Sequence, residues 1–454
     1  MLSIVTPDEM RDIDAAATRS TSANLFIERA GSAVAWAALR MLGGSYGRRV
    51  VVVAGPGNNG ADGRVAARKL ALKGVQVTVF AVADCPRVLP TCDLVIDAAY
   101  GTGFHGLWQA PDPGSALVLA VDIPSGVDGL TGAAGSGVMQ ADHTVTFVAL
   151  KPGLLFEPGA ALAGSVEVVD IGLSADHVRV HLVQQSDVAE WWEPREAAAH
   201  KWSTATQIIA GSPGMTGAAH LAASAAQRSG AGMVHLSVPG AVPNSGDHEY
   251  VQRPLGGGDW AREALASLDR FQSLVIGPGL GRSQGNVAAI RTVVSKSLVP
   301  TVVDGDGLFA LAWSSDGPAA VLKAREAPTV LTPHDGEFAL LAGAKVGPDR
   351  IMEARLLAFE LGVVVLLKGP ATVVANPDGR VLVVTAGDER LATAGTGDVL
   401  SGIIGALLAQ GLSAFEAAAA GAWIHGRAGR LGPRRGLIAS DLLPLIPQVL
   451  DSLQ

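Results

Sequence analysis

Apolar positions fall into two rhythms along this chain. Short runs such as RVVVVA, VQVTVFAV, DLVIDA, ALVLAV and HTVTFV are apolar throughout and end in glycine, asparagine or aspartate. Helix-length stretches such as ADGRVAARKLALKG lie between several of them. Strands buried on both faces and separated by helices predict a parallel sheet covered on each side. Thr6, Pro7 and Glu9 form a capping box with proline at the first helical position, so a helix should start at Pro7. A second helical pattern runs from about Asn24 to Leu42. After WWEPREAAAHK, which breaks the rhythm, a new series begins: TQIIAG, MVHLSVPG, SLVIGPGLG, TVVDGDG, TVLTPHDGE and VVVLLKGPAT. The expectation is two α/β domains, residues 1–190 and 195–454.

The second series ends in LATAGTGDVLSGII, a glycine-rich turn running into an apolar helix with Val399, Leu400, Ile403, Ile404, Leu407 and Leu408 at helical spacing. Gly395 and Gly397 can adopt backbone conformations closed to other residues. Free N–H groups and the positive dipole end at a helix start make an anion site with room for a phosphate. Asp398, in the first turn, is either a helix-capping acid or a catalytic base beside that anion hole.

Composition narrows the partners. Hydrophobic residues make up 48%, charged residues 17%, and the net charge is -8, with no clustered basic stripe to hold nucleic acid. The ligand should therefore be small. Cys85 and Cys92 cannot build a disulfide framework or a multi-cysteine metal site, which points to a reducing cytoplasm. The apolar stretch Val399 to Phe415 is short and interrupted by Ser401, Gln410 and Ser413, so a buried helix is expected rather than a membrane span.

Polar residues of the first half collect where strands end: Asn58 and Asn59, Asp97, Asp122 and Lys151. Ligands of open α/β sheets bind outside those carboxyl ends. Gly55, Gly57 and Gly60 satisfy a G-x-G-x-x-G spacing, with Asp84 beyond the next strand as a possible ribose ligand, but that fingerprint alone is weak. The adjacent asparagines either make a left-handed turn or, with Asp97 and Ser125, surround a monovalent or hard cation beside a ligand. In the second half Asp304 and Asp306 either bind magnesium or close a turn, Lys368 either holds a phosphate or reaches to water, and His334 reads alone as a loop histidine. There is no GxxxxGK[ST] loop.

GPGNNGADG, DAAYGTGFHG, VDIPSGVDG and TVTFVALKPG, in that order, resemble the N-terminal domain of NAD(P)H-hydrate epimerases over about residues 1 to 185. The resemblance implies a Rossmann-like three-layer fold. It places the hydrated nicotinamide nucleotide at Asn58, Asn59, Gly60, Ala61, Asp62, Gly101, Thr102, Gly103, Phe104, His105, Gly106, Leu107 and Asp122, and potassium at Asn59, Asp97 and Ser125. Ala61 stands where the family usually has glycine. From about residue 195 to 450, HK at His200 and Lys201, GMTGAA, GAGMV, GPGLG, LTPHDGE, KGPAT and AGTGDVLSG resemble the ribokinase-like ADP/ATP-dependent NAD(P)H-hydrate dehydratases. That implies adenine nucleotide at Lys368, Gly369, Pro370, Ala371, Thr372 and Gly397, and hydrate near Ala231, Gly279, His334 and Asp398. WSTATQ departs from the family where a glycine-containing segment is usual, which bears on the entrance strand.

The expected protein is a bifunctional repair enzyme. One half interconverts the R and S hydrates of NADH and NADPH, with Asp122 as candidate acid/base and potassium as cofactor. The other dehydrates the S form with ADP or ATP and magnesium, using Asp398 as base. It should be a homo-oligomer acting on small molecules. The rivals are a ribokinase-like small-molecule kinase and a nucleotide-binding protein with one half inactive.

Overall fold

The structure is a computed structural model describing residues 1–19, 22–104, 106, 108–192, 198–241, 248–313 and 316–453. Its contacts divide the chain into two compact units, Leu2–Val180 and His181–Gln454, with Met1 grouping with the second. The division falls between Val180 and His181, ahead of WWEPREAAAHK and of the boundary expected at residues 190 to 195.

In the first unit six strands form one sheet in the order Gln76–Ala81, Arg49–Ala54, Leu94–Ala98, Leu117–Val121, His143–Phe147 and Ser165–Val169. Every pairing is parallel. Alternate residues serve opposite faces, as a pleated strand requires. Val50, Val52, Leu94, Ile96 and Leu119 pack under the helices Ala23–Leu42 and Asn58–Leu72. Val51, Val53, Val95 and Val118 pack on the other face against Leu89, Tyr100, Trp108 and Met139, from connecting segments in which Val82–Asp84 forms a single 3₁₀ turn. The helix Pro7–Ala17 begins as expected, with Glu9 N–H donating to Thr6 Oγ1 (3.2 Å) and Thr6 N–H to Glu9 (2.8 Å). Ile13 anchors it against Val5, Ala149 and Val178. Its Asp14 thereby reaches the carboxyl edge of the sheet.

The second unit is built on a larger sheet. From Val381–Val384 the order runs through Thr372–Ala375, Val364–Leu367, Thr329–Leu331, Thr301–Val303, Ser273–Ile276, Ala205–Ile209 and Met233–Ser237 to Val251–Gln252. The strands from Val364–Leu367 onward are parallel, and the two hairpin pairings before them are antiparallel. The strand that begins within WSTATQ forms normally, with Ala205–Ile209 buried throughout. The apolar helix is Thr396–Ala409, buried along most of its length. At Gly402 a Cβ would stand 2.2 Å from the Ala222 carbonyl oxygen, so the helix Gly217–Arg228 packs backbone to backbone against it. Among the described residues no helix is long and apolar enough to cross a membrane.

Candidate functional site

The turn before Thr396–Ala409 positions the chemistry of the second unit. Gly395 is its cap at φ 90, a left-handed conformation that glycine adopts without strain. Gly397 departs from the expectation of unusual backbone: it is helical, and its need is space, because a Cβ there would stand 3.3 Å from Lys368 Nζ. Asp398 follows in the first turn, and no hydrogen bond engages its carboxylate among the described residues. Burial first, then the Asp304 charge, pushes its pKa up to about 7, against a lowering pull from Lys368. It can therefore exchange a proton near neutrality.

Asp304 is buried at the end of Thr301–Val303. Lys368 Nζ donates to its Oδ1 (2.8 Å) and Ser401 Oγ to its Oδ2 (2.6 Å). Burial pushes Asp304 upward, yet Lys368 and these hydrogen bonds outweigh it and hold the carboxyl below the usual range. Lys368 also stands 3.9 Å from Glu337 Oε2. Burial lowers the Lys368 pKa, but Asp304 and Glu337 overcome this and raise it, so the amine is a fixed cation. Asp306 ties its loop to the one after Ser273–Ile276: it accepts from Gly281 N–H (2.8 Å) and Arg282 Nε–H (2.7 Å). Arg350 joins two loops, pairing with Asp335 (2.9 Å) and donating to the Lys368 carbonyl (2.8 Å).

His334 caps the helix Asp335–Ala342. Its Nδ1 accepts from Gly336 N–H (3.0 Å), and Glu337 returns the bond to His334 N–H (3.0 Å). The ring is 61% exposed, leaving it open to a ligand. Gly369, Pro370 and Ala371 form the turn leading into the strand that starts at Thr372. Gly279 lies in the loop after Ser273–Ile276, where a Cβ would be 3.3 Å from Ala218 Cβ. Ala231 needs correction. It precedes Met233–Ser237 and so lies at the opposite end of the sheet from Gly279, Asp304, His334 and Lys368. Ala218, in the first turn of Gly217–Arg228, occupies the place expected of it.

In the first unit a cavity of about 680 Å³ opens at the carboxyl edge of the sheet. Asn58, Asn59, Asp62, Gly101, Thr102, Gly103, Phe104 and Asp122 line it together. Gly60 and Ala61 lie in the same helix turn behind them, and a Cβ at Gly60 would fall 1.9 Å from the Gly55 oxygen. Gly106 follows Phe104 in the loop, at φ 150. His105 and Leu107 lie outside the described residues. Asp84 falls in the 3₁₀ turn and does not line the cavity.

Asp122 carries the strain of this site, at φ 68 in a non-glycine residue. Its Oδ1 pairs with the buried Lys151 Nζ (2.7 Å) and accepts from Thr146 Oγ1 (3.1 Å). Behind the cavity Asp97 accepts from Ser125 N–H (2.8 Å) and Ser125 Oγ (2.6 Å), and burial pushes its pKa up. Among the described residues both polar atoms of the buried Asn59 amide lack a partner, which costs free energy unless a ligand supplies one. An oxygen-preferring cation fits this donor set: an orphaned amide oxygen, a carboxylate that a cation would keep ionised, and a hydroxyl. Sequence reasoning missed Asp14, Phe26 and Ile27, which also line the cavity. Nothing in their local pattern marks them, because only the docking of the first two helices brings them there.

These features define a class: an α/β enzyme of two units, one with a carboxylate-bearing cavity at the end of a parallel sheet, the other ribokinase-like with an acid poised over a helix N-terminus. A family model described as NAD(P)H-hydrate dehydratase matches residues 206–449, and one described as YjeF-related protein N-terminus matches residues 23–89 and 82–153. The chain is 37% identical to a bifunctional NAD(P)H-hydrate repair enzyme of Moorella thermoacetica, over 99% of this chain and 97% of that one. It is 39% identical to the enzyme of that name from Mycobacterium tuberculosis, over 83% of this chain and 82% of that one. A Bacillus subtilis ADP/ATP-dependent NAD(P)H-hydrate dehydratase co-crystallised with ATP and Mg²⁺ matches with TM-score 0.50 and 27% identity, over 61% of this chain and 100% of its own. The chain belongs to the family of bifunctional NAD(P)H-hydrate repair enzymes.

Proposed function

We propose that the first unit, within residues 1–190, interconverts the R and S hydrates of NADH and NADPH, and that the second, within 195–454, dehydrates the S hydrate with ADP or ATP. The observation that carries the reading is the Asp398 carboxyl, without a hydrogen bond among the described residues and shifted to about 7, over the Gly395–Gly397 turn and beside Lys368. Hydroxide leaves poorly and phosphate leaves well. Asp398 removes the proton of the C6 hydroxyl, whose oxygen attacks the terminal phosphoryl group as that group's bond to the rest of the nucleotide breaks, releasing AMP from ADP or ADP from ATP. The phosphate then departs with its electron pair as a neighbouring C–H proton is lost, restoring the ring double bond. Free N–H groups of the turn and Lys368 face the phosphates.

Lys368, Gly369, Pro370, Ala371, Thr372 and Gly397 are assigned to the nucleotide, and Ala218, Gly279, His334 and Asp398 to the hydrate. Magnesium supplies charge neutralisation on the phosphates. Among the described residues no group of His, Cys, Asp and Glu forms a metal cage, which suits an ion carried largely by the nucleotide. In the first unit Asp122 is assigned as an acid/base group and Asn59, Asp97 and Ser125 as potassium ligands. The orphaned Asn59 amide supports the latter. The free cysteines suit a reducing cytoplasm and the acidic net charge suits small-molecule ligands rather than nucleic acid, and a homo-oligomer is part of the same proposal. Purified S hydrate offered with each nucleotide separately tests the reading: phosphate should appear only when hydrate is present, and release without hydrate would instead indicate a plain nucleotide hydrolase.

A further inference from the structure

The first unit's cavity holds an excess of carboxylates over cations. Asp14, Asp62 and Asp122 converge on it, with Lys151 and Arg11 as the cationic groups in its lining. Lys151 is fully committed: its ammonium serves Asp122 (2.7 Å), Thr146 Oγ1 (2.8 Å) and the Phe147 carbonyl (2.9 Å). It therefore settles one carboxylate, and among the described residues neither Asp14 nor Asp62 has an ion-pair partner. Asp62, on the second turn of Asn58–Leu72, is 7% exposed and receives no hydrogen bond among the described residues. Phe26, Ile27, Phe147 and Ile171 line the same cavity, so its surroundings are weakly polar. An acid in such a place is held neutral and can donate.

The substrate chemistry selects how that proton is used. In the hydrate, C6 bears a hydroxyl and is bonded to the ring nitrogen N1. Removing the C6 hydrogen as a proton would build a carbanion beside the N1 lone pair, inside an already acidic cavity. Expelling the hydroxyl as water instead builds a cation, which carboxylates stabilise.

Resting on the epimerase reading, we propose that the hydrates interconvert by loss and re-addition of water at C6, with Asp62 as the acid that protonates the leaving hydroxyl. The C6–O bond breaks with its electrons on the departing water, and the N1 lone pair forms a C6=N1 iminium. Asp62, now ionised, and Asp122, held by Lys151, flank the cation. Water adds to the opposite face and gives its proton to Asp122. The two carboxyls re-equilibrate that single proton, so no oxidant or reductant is consumed. Burial, then Asp122, then Asp14 push the Asp62 pKa up to about 8, which keeps the acid protonated at neutral pH.

The test uses the full chain, pure R hydrate and no nucleotide. In ¹⁸O-enriched water each enzymatic epimerisation should place one ¹⁸O at C6 above the spontaneous background. A parallel run in D₂O should leave C6 free of deuterium. Asp62→Asn should lose epimerisation by about a hundredfold or more, the scale of a general acid, while keeping the wild-type melting temperature and nucleotide-driven dehydration of S hydrate. The wild-type rate should fall above about pH 8, and Asp62→Glu should retain that alkaline limb where Asp62→Asn lacks it. Deuterium at C6 without ¹⁸O overturns the route. An unchanged rate in Asp62→Asn overturns the residue assignment. A wild-type protein that does not interconvert the hydrates at all overturns the epimerase reading beneath both.

Discussion

Replacing Asp398 by asparagine keeps size and hydrogen-bonding capacity and removes only the base. The folded state should tolerate it, because no hydrogen bond within the described residues depends on the carboxylate. A positioned general base contributes about a hundred- to ten-thousandfold, or roughly 3 to 5 kcal/mol of barrier. The pH dependence gives a sharper signature. The base acts ionised, and with a pKa of about 7 only about a tenth is ionised one unit below, so wild-type dehydration should drop nearly tenfold per unit on the acid side. The Lys368 charge lowers that pKa, so Lys368→Met should move the acid limb to higher pH. The assay is recovery of NADH absorbance from pure S hydrate with saturating nucleotide between pH 5.5 and 9, a window of about two units either side of that value. If Asp398→Asn keeps near-wild-type rates with the same acid limb, the base assignment fails and Asp398 is only a helix-terminal acid.

Asp304→Asn should lower stability by about 3 kcal/mol, read by thermal unfolding, because it uncouples a largely buried ion pair. Asp304 has a depressed pKa, so its contribution is present above 3.8 and lost as pH falls through the lower folded value; the variant should lack that acid-side loss. Replacing potassium by lithium should slow epimerisation and leave dehydration unchanged, since the cation is assigned to Asn59, Asp97 and Ser125 alone; equal rates in both salts would remove the ion. Gly101→Ala places a methyl 3.3 Å from Asp122 Oδ2 and 3.5 Å from Asn59 Cγ. Epimerisation should fall at least tenfold with dehydration intact, measured by chiral separation of the hydrates.

Both sheets were legible because valine-rich runs with helices between them have few other ways to bury both faces. The helix at Thr396–Ala409 was legible from its apolar period and from the glycine-rich turn before it. Ala231 went astray because GMTGAA and GAGMV look alike as small-residue turns. In a β–α–β unit the strand-to-helix turn reaches the carboxyl edge and the helix-to-strand turn the opposite one, so direction alone separates Ala218 from Ala231. Gly397 looked like a residue chosen for backbone freedom, whereas the constraint is Lys368 passing over it, a contact between positions far apart in the chain. Glu337 and Asp14 share that origin: each acquires a role only when another element packs beside it.

The central claim is that one chain carries two independent activities linked by a diffusible S hydrate. It is tested most directly by complementation on pure R hydrate with nucleotide, following NADH absorbance. Asp122→Asn alone should recover NADH no faster than the slow spontaneous epimerisation allows, Asp398→Asn alone should be held about a hundredfold or more below the wild-type rate by its lost dehydration base, and an equal mixture of the two should recover NADH at a substantial fraction of the wild-type rate. A mixture no better than either variant alone, or full recovery by either one, would contradict the account.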